Sequence, residues 1–149
     1  PKSKTTVTVR IKRLDPELPL PAYAYPGDAG LDLVAAIDCT IEPHQREMIP
    51  TGLQVAIPEG YAGFVLPRSG LAARVGLSMV NTPGLIDSHY RGEMIMIAIN
   101  HDDEQPIEIK RGDRIAQLVI MPAPVVTIEE VDEMDSSQRS EKGFGSSGV

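Results

Sequence analysis

The pattern of hydrophobic and polar residues is that of many short β-strands. Apolar and polar residues alternate with a period of two at Val7–Lys12 and Leu53–Ile57, as in strands with one buried face. We predict five further strands from short apolar runs: Phe64–Leu66, Leu77–Val80, Met94–Ile99, Ile115–Met121 and Val125–Ile128. Because Met94–Ile99 is apolar on both faces, we expect that strand to be fully buried.

Glycine and proline separate these runs. The chain has 13 of each, and they recur between the apolar stretches, where turns would lie. One helix is predicted at Ser69–Val75, with Ser69 as a candidate N-cap and Gly76 after its end. Many short strands with a single short helix predict an all-β fold, which would be an antiparallel sandwich, a jelly roll or a barrel.

The chain is predicted to have one domain and a tail. Residues 1–134 carry the strand pattern and would form a β-sandwich core, whereas residues 135–149 lack apolar periodicity and would form a flexible Gly/Ser-rich tail. The tail lacks the lysine of a P-loop, so its ordinary interpretation is a linker or a disordered end. One of the chain's two phenylalanines, Phe144, nevertheless lies there between two glycines, where it could close over a flat ligand.

Composition and charge restrict the kinds of partner. The net charge is -7, from 14 basic and 21 acidic residues, so a long nucleic acid is not expected to bind. A small anion would need a local cluster of arginines. The single cysteine, Cys39, excludes an internal disulfide and fits a reducing compartment, and with three scattered histidines it does not form a zinc motif. We find no signal peptide or membrane span in the pattern, so a cytoplasmic location is expected.

Two segments combine turn residues with groups that bind anions or cations. Asp28–Leu33 holds two carboxylates on either side of a glycine; it could be an ordinary turn, or one carboxylate could hold waters around Mg²⁺. Pro67–Leu71 places an arginine, a serine and backbone N–H groups at the start of the predicted helix. These groups suit a phosphate, although a simple capped helix explains them equally well.

Two further segments are open to a functional and a structural interpretation. Asn81–Glu93 reads as a β-hairpin, and Asp87 and Tyr90 beyond its turn could place a general base and an aromatic ring beside one cavity. An ordinary hairpin with outward polar side chains is the alternative. In Arg111–Leu118, Gln117 lies among apolar residues and must find hydrogen-bond partners if it is buried. Those partners could be structural or could belong to a ligand.

Together and in this order, these segments resemble the five motifs of the trimeric deoxyuridine triphosphatases (dUTPases). The matching segments are Asp28–Leu33 (DAGLDL), Pro67–Ala72 (PRSGLA), Gly84–Glu93 (GLIDSHYRGE), Arg111–Leu118 (RGDRIAQL) and the tail Arg139–Gly148. The resemblance covers nearly the whole chain. It implies an all-β, jelly-roll or β-clip-like subunit in a homotrimer, in which the tail of one subunit closes over a site formed by the other two.

The resemblance also implies a reaction and a biological role. The reaction would be dUTP plus water giving dUMP and pyrophosphate, with Mg²⁺ as cofactor. It would keep uracil out of DNA and supply dUMP for thymidylate synthesis. Asp87 matches the catalytic aspartate that activates the water attacking the α-phosphorus, and Asp32 would bind waters of the Mg²⁺ shell.

The resemblance assigns the substrate contacts residue by residue. Tyr90 would pack against the deoxyribose, and Gln117 would lie near the α-phosphate. The phosphate oxygens would be held by Arg68, Ser69 and Gly70. The uracil edge would be read by Asn81 and the backbone at Leu85 to Asp87, with Gly84 and Ile86 also among the substrate-binding residues. From the tail, Phe144 would stack on uracil, and the outer phosphates would meet Arg139, Gly145, Ser146 and Ser147. Ser140 stands where the family often has glycine, and with Glu141 and Lys142 it could alter closure of the tail.

Two alternatives remain beside this interpretation. A related enzyme that deaminates dCTP, with or without dUTPase activity, would use a glutamate base in a different motif; the Ile86–Asp87 hairpin and the Phe144 tail match the dUTPase pattern instead. A non-catalytic, nucleotide-binding regulatory trimer could keep the same scaffold. The presence of both Asp32 and Asp87 argues against it, because binding alone does not require a base for the attacking water.

Overall fold

The computed structural model describes residues 5–138, 141–143, 145 and 148. Over this part of the chain it contains ten strands and one short helix. In chain order the elements are β1 (Arg10–Arg13), β2 (Leu31–Val34), β3 (Cys39–Ile41), β4 (Arg46–Ala56), β5 (Tyr61–Pro67), α1 (Ser69–Val75), β6 (Leu77–Met79), β7 (Gly84–Ile86), β8 (Glu93–Asn100), β9 (Ile107–Ile109) and β10 (Arg114–Pro122). No helix in the described residues has the length and apolar character to cross a membrane.

The strands form two four-stranded sheets and a two-stranded one. The strand orders are β1-β4-β8-β6, β2-β10-β5-β7 and β3-β9, and every pairing is antiparallel. Buried side chains from both large sheets, such as Leu33, Val55, Met96 and Leu118, form one apolar core. Removal of this apolar surface from water is the main term that holds the sheets face to face. The predicted all-β antiparallel fold, a jelly roll, is confirmed.

The pairing of β10 brings the polar segments of the sequence side by side. On one edge of β10 Gln117 lies opposite Asp32 of β2, and on the other edge it lies opposite Leu66 of β5. Strand β5 in turn pairs with β7, with Val65 opposite Gly84. One sheet therefore carries, across its width, parts of four of the segments that the sequence singled out.

The expectation that Met94–Ile99 is buried on both faces is wrong for the single chain. Met94, Met96 and Ala98 of β8 are buried, but Ile95 between them is 38% exposed. The β1-β4-β8-β6 sheet has one face on the core, so alternate side chains of β8 point away from it. An apolar side chain on the outer face of this sheet is thus left for some other surface to cover.

The strand predicted at Val125–Ile128 is also absent. After β10, Ala123 N–H still donates to Gly60 O, but residues 124–138 are all exposed, and Val125 is 95% exposed. Valine and isoleucine favour strands only where a neighbouring strand supplies hydrogen bonds and packing. No described strand of the chain lies beside this segment, here called the arm (residues 124–138). The proposed division at residues 134 and 135 stays a prediction.

The helix lies where it was predicted, but its cap differs. Arg68 occupies the N-cap position, and no side chain makes a capping hydrogen bond; Ser69 is the first helical residue. The helix ends at Gly76, whose φ of 75° is in the left-handed region. A Cβ at this position would lie 3.0 Å from Asp102 N, so glycine is required both for the backbone angle and for the close approach.

Asn100 is the polar group on which the core depends most, and its loss should destabilise the fold. Its side chain is completely buried, its Nδ2 donates to Ile41 O and Gln105 O at 2.9 Å, and its Oδ1 accepts from Asp102 N at 2.8 Å. Asn100→Ala leaves these buried groups without partners and should lower the free energy of unfolding by about 2–4 kcal/mol. Urea unfolding measures this. Asn81→Ala, at an exposed asparagine, should change it little; equal losses for both variants would contradict the assignment.

The Asp15–Arg111 ion pair should stabilise the folded chain fully above about pH 4. Its contribution should then decrease progressively as the pH is lowered. Arg111 Nη2 lies 2.6 Å from Asp15 Oδ2, and its hydrogen bond lowers the pKa of Asp15 in the folded chain. The contribution is present above the unfolded pKa of about 3.9 and is lost as pH falls through the lower folded pKa. Asp15→Asn should therefore lower the melting temperature at pH 6, and its difference from the unaltered chain should shrink as the pH is lowered below 4.

A matched control for this pair is Glu17→Gln. Glu17 lies 3.3 Å from the same guanidinium but its side chain is 85% exposed, so solvent screens the contact. The melting temperature of this variant should differ little from that of the unaltered chain at pH 6. An effect as large as that of Asp15→Asn would mean that the net charge, and not the Asp15 contact, decides the pH dependence.

Candidate functional site

The first group of predicted site residues surrounds the carboxylate of Asp32. Two guanidinium groups flank it: Arg68 Nε at 4.0 Å and Arg114 Nη1 at 3.6 Å. Arg68 Nη1 also donates to the backbone oxygen of Arg114 at 3.0 Å, so the Arg68 side chain is anchored to the start of β10. The carboxylate thus lies between two fixed positive charges, which can also attract phosphate oxygens.

Arg114 is a residue that the sequence reasoning missed. It begins β10 and lies in the segment from which only Gln117 had been selected. Its signal was present, because Arg111 and Arg114 are two cations within four residues of a chain that is acidic as a whole. Arg68 and Arg114 together line a cavity of about 420 Å³ beside α1. Two arginines that converge from different elements supply the local positive cluster that a small anion needs.

Gln117 has a defined structural partner and a close neighbour. Its Nε2 donates to Pro67 O at 3.1 Å, and a Cβ at Gly30 would lie 2.5 Å from its Oε1. The absence of a side chain at Gly30 therefore makes room for the amide. A cavity of about 390 Å³ is lined by Asp28, Ala29, Gly30, Asp32, Leu66, Gln117 and Val119. The half-buried amide of Gln117 is therefore hydrogen-bonded within the protein and also lines this cavity.

The two carboxylates of the first segment have separate roles. Asp28 Oδ2 accepts a hydrogen bond from Tyr25 N at 2.9 Å, so Asp28 stabilises a turn. Asp32 is the carboxylate beside the arginines. Ser69 and Gly70 are exposed at the start of α1, next to Arg68. The structure therefore gathers Asp32, Arg68, Ser69, Gly70 and Gln117 at one end of the β2-β10-β5 layer.

The second group of predicted residues lines one cavity on the hairpin. This cavity of about 220 Å³ is lined by buried apolar residues such as Val65, Met79 and Met94 and by the predicted residues Asn81, Gly84, Leu85, Ile86, Asp87 and Tyr90. Asp87 follows the end of β7 and is exposed, and Tyr90 N–H donates back to Asp87 O at 3.1 Å. The hairpin thus does place a carboxylate and an aromatic ring beside the same space, as one of the two sequence interpretations proposed.

Strand β7 presents free peptide groups to this cavity. It is an edge strand, since β5 pairs with only one of its sides and no described strand of the chain pairs with the other. Edge strands expose a row of unpaired N–H and C=O groups. A flat ring with alternating acceptors and donors along one edge can hydrogen-bond to such a row.

Gly145, the predicted tail contact that lies within the described residues, lines neither cavity. Gly145 is exposed, with φ of 85° and no heavy atom within 4 Å of the position of a Cβ beyond its chain neighbours. The predictions for Arg139, Ser140, Phe144, Ser146 and Ser147 lie outside the described residues. In the single chain the Asp32 group and the Asp87 group line different cavities.

The residues available to hold a metal are few. In the described part of the chain, no three or more His, Cys, Asp or Glu side chains lie close enough together to hold an ion. Asp28 and Asp32 both line the cavity beside Gln117, and Asp28 Oδ2 already accepts a hydrogen bond in its turn. Mg²⁺ commonly takes only one or two protein carboxylates and completes its shell with waters and substrate phosphates. The donor set fits a cation that arrives with a polyphosphate.

Comparison with known proteins gives the same family along nearly the whole chain. A family model described as dUTPase matches residues 16–148. Deoxyuridine 5'-triphosphate nucleotidohydrolase of Corynebacterium glutamicum is 56% identical over 140 residues, which cover 94% of each chain. The enzyme of the same name from Thermobifida fusca is 54% identical over 143 residues, 96% of this chain and 80% of that one.

Solved structures extend the likeness to the fold. The dUTPase of Staphylococcus bacteriophage 80alpha with dUpNHpp has a TM-score of 0.87 and 33% identity, covering 97% of this chain and 100% of that one. A mutant dUTPase of the S. aureus phage phi11, described with a structural Mg(II) ion, has a TM-score of 0.78 and 27% identity over 87% of this chain and 99% of that one. With a family match over all but the first fifteen residues and the last one, this chain belongs to the dUTPase family.

Proposed function

We propose that this chain hydrolyses dUTP to dUMP and pyrophosphate. The observation that carries the proposal is the hairpin cavity, in which the free edge of β7 and the carboxylate of Asp87 border the same space. Uracil offers an acceptor, a donor and an acceptor along one edge, which complements the peptide groups of an extended edge strand. Family membership, and the names carried by relatives that are more than half identical, support the choice of dUTP.

Asp87 is the proposed base for the attacking water. Its exposed carboxylate can hold a water in line with the α-phosphorus and accept its proton as the new P–O bond forms. The bond from the α-phosphorus to the oxygen that bridges to the β-phosphorus breaks, and pyrophosphate leaves with that oxygen. In this proposal the base lies at the nucleoside end of the substrate, beside the hairpin cavity.

Arg68 and its neighbours are proposed to hold the phosphates. The guanidinium group of Arg68, the hydroxyl of Ser69 and the backbone N–H of Gly70 would bind phosphate oxygens, with Gln117 near the α-phosphate. Arg114, held against Arg68, adds a further positive charge. Mg²⁺ would neutralise charge on the triphosphate, and Asp32 would hold waters of its shell.

The remaining predicted contacts belong to the sugar and to the tail. Tyr90 would pack on the deoxyribose and exclude a 2′-hydroxyl. Phe144 would stack on the uracil, and the outer phosphates would meet the tail residues Arg139, Gly145, Ser146 and Ser147. Ordering of the tail over bound substrate would keep bulk water from the reacting phosphate.

The site is proposed to be shared among the subunits of a homotrimer. Three features of the single chain support this: the Asp32 and Asp87 groups line different cavities, β8 leaves Ile95 partly uncovered, and the arm is exposed. A second copy can bring the two groups together and cover the apolar residues, and the tail of a third can close the site. We place the enzyme in the cytoplasm, where it would limit uracil in DNA and supply dUMP for dTTP synthesis.

The first test is pyrophosphate release with Mg²⁺ from dUTP, dTTP, dCTP and UTP in parallel. Release is expected from dUTP alone, since the edge of β7 is proposed to read uracil. Asp87→Asn should lower kcat by about 10²-fold or more, because it removes the base. Binding of dUpNHpp by calorimetry should be retained. The same substitution at the exposed Asp103, which contacts His44, is the control and should leave kcat unchanged.

Three results would contradict the proposal. Equal release from several nucleotides would mean that the hairpin does not select uracil. Ammonia release from dCTP would indicate a deaminase. Binding of dUpNHpp without hydrolysis of dUTP would indicate a regulatory nucleotide-binding trimer.

The second test asks whether the site is shared between chains. Asp32→Asn and Asp87→Asn should each be nearly inactive alone. If a site takes Asp32 from one subunit and Asp87 from another, randomly mixed trimers should recover up to about a quarter of the unaltered activity. In an equal mixture, half of the subunits keep Asp32 and the other half keep Asp87, so about one site in four has both. If both groups act within one chain, every subunit is defective and mixing restores nothing. Subunit exchange is verified by fluorescence transfer between labelled chains.

A further inference from the structure

We propose that Gly92 and Glu93 are positioning residues that lock the Tyr90 ring against the hairpin cavity and so set the discrimination between deoxyribose and ribose. The inference deepens the proposed dUTPase function, on which it rests. Neither residue was singled out by the sequence pattern. Both lie where the chain leaves the hairpin and enters β8.

Gly92 allows the Tyr90 ring to lie directly against the backbone. A Cβ at Gly92 would overlap Tyr90 Oη and would come within 2.6 Å of Cζ and 2.7 Å of Cε1. Contacts closer than 3.0 Å are not tolerated, so any side chain at position 92 must displace the ring. Gly92 does not have a φ in the left-handed region, so its backbone angle is open to alanine. Space for the ring is therefore the reason for glycine at this position.

A hydrogen bond fixes the ring in that place. The Tyr90 hydroxyl donates to the backbone oxygen of Glu93 at 2.7 Å. The ring is 43% exposed, so surrounding atoms alone do not confine it. Gly92 leaves space for the Tyr90 ring, and the hydrogen bond to Glu93 O holds the hydroxyl end of the ring. Together they favour one orientation of the ring before any ligand binds.

The acceptor of that hydrogen bond is itself held to the neighbouring strand. Glu93 Oε2 accepts from the backbone N–H of Gly52 at 2.8 Å, and Thr51 Oγ1 donates to Met94 O at 2.6 Å. Gly52 and Thr51 are buried, and they lie where the β4–β8 register shifts between Pro50 and Gln54. The start of β8 is thus fixed to β4 by two side-chain bonds, and Tyr90 is attached to a rigid support.

This arrangement matters for selectivity because Tyr90 and Glu93 both line the hairpin cavity. If the Tyr90 ring can move, the cavity can accommodate the added 2′-hydroxyl of ribose. If the ring is held in close contact with its neighbours, that hydroxyl is excluded by steric overlap. Displacement of the ring should therefore admit ribose more than it harms deoxyribose. The expected signature is a change in the ratio of the two substrates, and not a general loss of activity.

The experiment is a double-mutant cycle with Gly92→Ala, Tyr90→Ala and the two combined. The ratio of kcat/KM for dUTP to that for UTP should fall by about tenfold or more in Gly92→Ala. This is within the range of discrimination that a binding pocket achieves between substrates that differ by one hydroxyl. In the Tyr90→Ala background the same glycine change should alter the ratio by less than about twofold, because no ring remains to be displaced. Equal effects in both backgrounds, or no effect in either, would overturn the proposal.

Two further variants test the support from β4. Glu93→Gln keeps a side-chain oxygen that can accept from Gly52 N and should retain the ratio, whereas Glu93→Ala should lower it. Loss of selectivity in both, or in neither, would show that the Gly52 contact does not position the ring. Urea unfolding accompanies every variant. A fall in the ratio that simply follows the loss of stability across the series would also overturn the assignment.

Binding measurements separate this inference from the proposed reaction. Calorimetric affinities for dUMP and UMP are measured on the same variants. If no nucleotide is hydrolysed but the preference for dUMP is lost in Gly92→Ala and not further in the double variant, the proposed catalysis fails and the role of Gly92 stands. If dUTP is hydrolysed but the affinity ratio does not respond to Gly92→Ala, the role of Gly92 fails and the reaction stands.

Discussion

The antiparallel register of β10 is the constraint on which the site depends. Because Gln117 pairs with Asp32 on one side and with Leu66 on the other, a carboxylate, an amide and the strand leading to Arg68 form one row. A slip by one residue would turn every side chain of β10 to the opposite face of the sheet. Burial of Ile115, Ala116 and Leu118 in the core prevents such a slip. The buried core residues and the polar row therefore depend on the same register of β10.

Local charge, and not the charge of the whole chain, fits this protein to an anionic ligand. The net charge of -7 would repel a triphosphate at long range, and salt screens this repulsion beyond roughly 10 Å. Within the site, Arg68 and Arg114 face Asp32 at 4.0 and 3.6 Å. The single carboxylate attracts both guanidinium groups to one place, where phosphate oxygens could meet them.

Six strands (β1, β4, β5, β6, β8 and β10) and the helix were predictable because their patterns depend on burial within one chain, whereas the three-residue strands β3 and β9 were not predicted. The alternation at Leu53–Ile57 reflects which side chains are buried in the core. The glycine at position 76 reflects the left-handed backbone angle that ends the helix. The errors arise where burial or pairing needs neighbours that the described residues do not supply, at the outer face of Met94–Ile99 and along Val125–Ile128. Arg114 and Gly92 escaped notice for another reason. Their importance comes from contacts with Asp32 and with the Tyr90 ring, which a linear pattern does not display.

The exposed arm has a consequence for the newly made chain. A short run of valine and isoleucine with no strand beside it is the kind of segment that joins other chains into aggregates. Here it is preceded by Pro122 and Pro124, and five of the next seven residues, 129–135, are acidic. Proline blocks extension of a strand ladder, and like charges repel when copies stack in register. The prolines and acidic residues that flank the apolar run thus act as gatekeepers that discourage uncontrolled stacking.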